Sequence, residues 1–133
     1  MKHHTKKDLG DADLILYLGY KPNQCSDCME GLAYRARVCR TDDYSIHRKC
    51  SINLHVNYHT LTAKVMVHEI GHNLGMFHDF HSTHGGDGNA CNKQGFMSYN
   101  LVTGPNQWSE CSKNDFTEHF NNIGYLQWCL PGM

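Results

Sequence analysis

Four residues in one short stretch are suited to hold a metal ion and move a proton: His68, Glu69, His72 and His78, within Val67-His68-Glu69-Ile70-Gly71-His72-Asn73-Leu74-Gly75-Met76-Phe77-His78-Asp79. On an α-helix, residues four apart share a face at about 6 Å along the axis, so the imidazoles of His68 and His72 can share one cation. Glu69 follows the first of them, where its carboxylate can reach a water on the cation's open side as a general base. His78 can join only if the helix stops, because a continued helix would carry it about 9 Å beyond His72 and aim it elsewhere. Gly75 offers the stop: positive φ costs glycine no Cβ clash, so a left-handed cap there swings the next residues back. Three neutral imidazoles with one position left open are the ligand set of a catalytic zinc ion rather than a closed structural one. The rival reading is an accidental helical face in a chain with 11 histidines; it accounts for a lone HExxH better than for the whole spacing.

The surrounding sequence supplies elements that can position this stretch. Thr60 or Thr62 is expected to cap a helix that puts Leu61, Val65, His68 and His72 on one broad face. Upstream, Asp13 to Leu18 is a nearly continuous apolar run and reads as a buried strand. Leu32, Tyr34, Ala36 and Val38 alternate through a second strand, 32–38, which would put Arg35 and Arg37 on one face. Ile52, Leu54 and Val56 alternate with Asn53 and His55 in a third. Residues 1–11 read as a tail or loop, and 19–30 and 41–49 as connectors. From Asp79 to Cys91 no apolar period survives and the segment reads as surface loop, with His81 and His84 as exposed loop histidines or, alternatively, extra metal contacts. A last helix is expected with Ser112 and Asp115 at its N-terminal cap, Phe116 and Phe120 stacked at i and i+4, and an end at Asn122 or Gly124.

Composition narrows the function classes. A chain of 133 residues with 40% hydrophobic and 19% charged residues is suited to one globular domain. A net charge of -1 leaves no basic footprint for nucleic acid or an anionic membrane. The longest apolar run, Leu14 to Leu18, is too short to span a bilayer. Met1 to Lys7 is basic and polar and lacks the apolar core of a secretory signal, yet seven cysteines read as a disulfide framework made in an oxidising compartment. The two observations conflict unless more chain precedes Met1.

The stretch from His68 to Asp79 matches HExxHxxGxxHD in full and so resembles the metzincin zinc endopeptidases, with Asp79 pointing to their adamalysin or reprolysin branch. The resemblance runs from Asp11 to Cys129. It implies an α+β, zincin-like fold: a twisted mixed sheet with an active-site helix, then a mostly irregular part ending in a C-terminal helix. Residues 1–133 would be one catalytic domain, with an upper part near 11–75 and a lower part near 76–133. It also implies a secreted enzyme that hydrolyses peptide bonds, with Zn2+ on His68, His72 and His78 and Glu69 acting first as base and then as acid. Substrate would lie as an extended strand along Gly31 to Val38, with a side-chain pocket near Tyr99 to Thr103. Arg35 and Arg37 would favour acidic residues if they face the cleft; otherwise they form a solvated strand face.

Gly95-Phe96-Met97-Ser98-Tyr99 resembles the methionine turn that metzincins place beneath the zinc, where a thioether fills space without acting as a ligand; alone it would read as a core methionine in a turn. The resemblance further implies the disulfides Cys39–Cys129, Cys91–Cys111 and Cys25–Cys28, although a CxxC also occurs in redox sites and zinc knuckles. Cys50 is then left without a mate in the chain. An N-terminally incomplete domain, lacking strands and a long helix, would explain that and would leave the run at Leu14 to Leu18 with an unpaired edge; a free thiol or an intermolecular bridge are the alternatives. A structural calcium ion is common in the family, but Gly132 stands where the family carries an asparagine, which leaves calcium open. Two rival functions remain, a noncatalytic toxin-like binding module on the same scaffold and an inactive fragment. Intact Glu69 argues against the first.

Overall fold

A computed structural model describes residues 12–20, 30–39, 48–55, 58–86, 88–122 and 129. Three short strands make one mixed sheet: β1 (Ile15–Tyr20), β2 (Gly31–Ala33) and β3 (Cys50–His55). Their order is β1-β3-β2, with β1 parallel and β2 antiparallel to the central β3. Helix α1 (His59–Asn73) lies against β3 and β2. A 3-10 turn at Ser82–His84 and helix α2 (Glu110–Asn122) follow, joined by irregular chain. This is the expected α+β architecture. No described helix is long and apolar enough to cross a membrane.

The second strand is shorter than its alternation predicts. Past Ala33 the backbone turns, with Ala36 at φ 60°, and the N–H groups of Ala36, Arg37 and Val38 donate to the carbonyls of His72 (2.9 Å) and Asn73 (3.0 and 3.3 Å). Those carbonyls have no partner within their own helix. Capping α1 therefore takes the donors that a longer β2 would have used in the sheet. Asn73 reinforces the joint, its Nδ2 donating to the carbonyls of Tyr34 (2.9 Å) and Cys50 (3.2 Å).

Strand β3 inverts the usual sense of its pattern. Alternation would put Ile52 inside, yet Ile52 is 41% exposed while Ser51 and Asn53 are 0% exposed. Gly31 pairs with Asn53 and abuts Glu69 of α1, so the polar face is the one beneath the helix. Asn53 Nδ2 is satisfied there by Ser51 Oγ at 3.0 Å and the Tyr17 carbonyl at 3.3 Å. Tyr17 and Leu32 pair with Ile52 and are exposed on the opposite face, where they leave an open apolar surface.

The helix starts also differ from expectation. Helix α1 begins at His59 after Tyr58, which makes no side-chain cap bond, and the buried Thr62 spends its hydroxyl on the Tyr58 carbonyl at 3.2 Å. Helix α2 is capped three residues earlier than predicted, because Ser109 Oγ accepts the Ser112 N–H at 3.0 Å. Ser112 and Asp115 thus lie inside the helix with their side chains available for other partners. Phe116 and Phe120 do meet, their ring centroids 5.8 Å apart.

Two expected disulfides are present. Cys39–Cys129 has a Cα separation of 5.9 Å and Cys91–Cys111 one of 6.0 Å. Around the first, Val38 and Cys39 pack with Leu14, Leu74 and Phe120 in a small core. Burial pushes the half-buried Cys50 thiol pKa up. Cys25, Cys28, Val56, Gly124 and Gly132 lie outside the described residues.

Candidate metal centre

Helix α1 ends in the left-handed cap that the glycine predicts. Gly75 has φ 105°, its N–H bonds the His72 carbonyl at 2.9 Å, and the Met76 N–H bonds the Gly71 carbonyl at 3.0 Å. This paired arrangement is the Schellman motif. A side chain at Gly75 would also meet the His119 ring at 2.7 Å, so α2 and the reversed backbone both demand glycine here. The chain leaves the helix sideways and carries His78 back to the other two rings.

The three Nε2 atoms converge. His78 Nε2 lies 3.2 Å from that of His68 and 3.1 Å from that of His72. His68 Nδ1 donates to the Phe96 carbonyl at 2.6 Å, and His72 Nδ1 to the Met76 carbonyl at 3.0 Å. A neutral imidazole carries one N–H, so these bonds leave Nε2 of both rings as bare lone pairs aimed at the third ring. Burial pushes the His68 pKa down and, with the neighbouring rings, takes His72 and His78 to about 4. Neutral rings with lone pairs facing one another repel unless a cation sits between them. Nitrogens at tetrahedral corners about 2.0–2.1 Å from zinc would lie about 3.3 Å apart, so the donor set and its spacing fit that ion.

The supporting contacts come from segments distant in sequence. Met97 is 0% exposed and its sulfur abuts Gly71, on the helical turn between His68 and His72; Trp108 closes the same spot, 3.0 Å from where a Cβ at Gly71 would stand. The turn's backbone reaches both ends of the site, since Phe96 holds His68 and the Met97 carbonyl accepts the Asp79 N–H at 3.0 Å. Asp79 is itself 0% exposed, its Oδ1 accepting hydroxyls from Ser109 at 2.5 Å and Ser112 at 3.1 Å. Asp115 accepts the Phe77 N–H at 2.8 Å and bonds His84 Nε2 at 2.9 Å, while His84 Nδ1 donates to the His78 carbonyl at 3.0 Å. His84 is thus a buried strut and not an exposed loop histidine: its side chain is 8% exposed. The pairing with Asp115 holds the His84 pKa above its usual value against the opposing effect of burial.

Ser112, Asp115 and the carbonyls of Phe96 and Met76 gave no sign in the sequence of belonging to this site. Only Ser109 carried a usable signal, a serine just ahead of a helix.

An open cleft of about 570 Å³ runs past the three histidines, edged by β2 and by Tyr99 and Leu101. Glu69 is nearly buried on its wall, and desolvation raises its pKa to about 7. Its carboxylate presses on Gly31, where a Cβ would fall 2.7 Å from Glu69 Cγ and 2.8 Å from Cδ. The histidine facing the cleft mouth, His81, stacks on Phe77 at 4.3 Å. Arg35 reaches the cleft too.

A family-wide sequence profile, Reprolysin (M12B) family zinc metalloprotease, matches residues 2–130. The chain belongs to the reprolysin family. It is 34% identical over 110 residues to A disintegrin and metalloproteinase with thrombospondin motifs 6 of Homo sapiens, a match that covers 77% of this chain and 8% of that one. It is 37% identical over 93 residues to snake venom metalloproteinase fibrolase of Macrovipera lebetinus, covering 69% and 42% respectively. With snake venom metalloproteinase TM-1 of Protobothrops mucrosquamatus it shares 30% identity over 131 residues, covering 89% of this chain and 58% of that relative. The chain therefore spans less than two thirds of the length of each of these relatives. Family membership makes it a zinc metalloprotease domain.

Proposed function

We propose that this domain is the catalytic part of a secreted zinc endopeptidase, with His68, His72 and His78 holding one zinc ion and Glu69 acting as general base. The convergence of three Nε2 lone pairs beside a buried carboxylate, at the wall of an open cleft, carries the proposal. Zinc at this position supplies Lewis acidity toward a water and toward the scissile carbonyl oxygen. Glu69 takes the proton from the attacking water and returns it to the departing amine, acting first as general base and then as general acid. The β2 edge, Gly31 to Ala33, offers backbone groups to a substrate lying as an extended strand. Two disulfides suit an oxidising compartment, and venom metalloproteinases are among the relatives.

Chelator-sensitive cleavage of an unfolded protein by the parent chain tests this. Glu69→Gln should lower kcat/KM by about 10²- to 10⁴-fold while zinc uptake persists. Zinc uptake by the parent without cleavage would reject the hydrolase and favour a binding module on the same scaffold.

A further inference from the structure

Arg35 is the only arginine or lysine among the described residues that line the cleft. Its guanidinium lies 3.8 Å over the centroid of the Phe77 ring, and Nη1 donates to the Gly75 carbonyl at 2.8 Å. Stacking and one hydrogen bond fix the group in place, so ordering it for a ligand costs little side-chain entropy. Among the described residues it makes this one hydrogen bond, which leaves most of its five N–H donors for a ligand. Arg35 is exposed and forms no ion pair with a described residue. Asp115 lines the adjoining hollow, but its two oxygens are already taken by His84 and the Phe77 N–H. Glu118, in the same hollow, forms no ion pair with Arg35. The carboxylates in the cleft itself, Glu30 and Glu69, belong to the Gly31 end of β2.

A fixed guanidinium in an open cleft, with no ion-pair partner among the described residues, is a carboxylate receptor, since its fork matches the two oxygens of an acidic side chain. Glu69 stands beside Gly31, at the start of β2, and Arg35 lies just beyond the end of that strand. A substrate lying along β2 at about 3.3 Å per residue therefore brings a side chain a few positions from the scissile bond within reach of the guanidinium, which lines the same cleft. We infer that Arg35 is a specificity-determining residue that selects an aspartate or glutamate about two to four positions from the scissile bond. The inference rests on the hydrolase reading above and adds the substrate class to it.

Digestion of a denatured protein mixture, with every cleavage site mapped by mass spectrometry, tests it in the parent, Arg35→Gln and Arg35→Glu. Gln keeps a donor for the Gly75 carbonyl, and the acidic-to-neutral ratio is internal to each enzyme, so lower overall turnover does not move it. The parent should enrich acidic residues about fivefold at one position in that window. Arg35→Gln should abolish the enrichment, and Arg35→Glu should replace it with lysine and arginine. No acidic enrichment in the parent, or enrichment that survives Arg35→Gln, overturns the assignment. No cleavage at all by the parent overturns the hydrolase reading, and the subsite with it.

Discussion

Both the histidine centre and the underside of the sheet bury polar groups, but they do so on different terms. At the centre, His68, His72, Asp79, His84 and Asp115 are tied to partners distant in sequence, and the bonds on His68 and His72 leave their Nε2 atoms facing that of His78. Under the helix, Ser51 and Asn53 are tied to each other and to the neighbouring strand, while the larger apolar side chains of Ile52 and Leu32 face outward. Polarity in the first place sets three imidazole nitrogens facing one another. In the second it is local satisfaction of a helix-sheet contact, and Ile52 with its register partners Tyr17 and Leu32 lies on the other face.

This contrast is sharpest at Asp79. Asp79→Ala removes a buried charge-assisted acceptor and strands the hydroxyls of Ser109 and Ser112, so chemical denaturation should show a loss of about 3 kcal/mol. A loss within about 0.5 kcal/mol, the range of an ordinary surface change, would mean that the network does not hold the site together. A change confined to geometry comes next. Gly31→Ala places a methyl group against the Glu69 carboxylate; kcat/KM should fall about ten- to a hundredfold with zinc affinity preserved, since misplacement by about 1 Å costs that much. Unchanged kinetics would show that Glu69 has room to move.

On the sheet the two faces should separate. Asn53→Ala leaves Ser51 and the Tyr17 carbonyl without their donor and should cost about 1–2 kcal/mol, whereas Ile52→Thr should stay within about 0.5 kcal/mol. Equal losses would erase the distinction between the faces.

The same contrast explains what could be read from the sequence. Side chains spaced at i, i+4 and across a glycine cap are set by backbone geometry, so His68, His72, Gly75 and His78 stand where the spacing puts them. The methionine turn and both described disulfides were legible only through the family resemblance, because nothing local ties Met97 to Gly71 or Cys39 to Cys129. Strand β2 ends before its alternation does for a physical reason: the donors at Ala36 to Val38 serve the carbonyls of a helix more than thirty residues away. Likewise the alternation in β3 marks two faces but does not say which one meets α1; Gly31 against Glu69 decides that. The Asp115–His84 strut left no local signal at all.

His78 is the proposed ligand that only the glycine cap brings into place. Zinc titration of the parent chain against His78→Ala tests it directly, with binding followed by competition against a chromogenic chelator. The parent should take up one equivalent, and the variant should lose more than the about 100-fold in affinity that removal of an outer partner costs at most. Equal affinity in the two proteins, or no uptake by the parent, would contradict a three-histidine zinc centre.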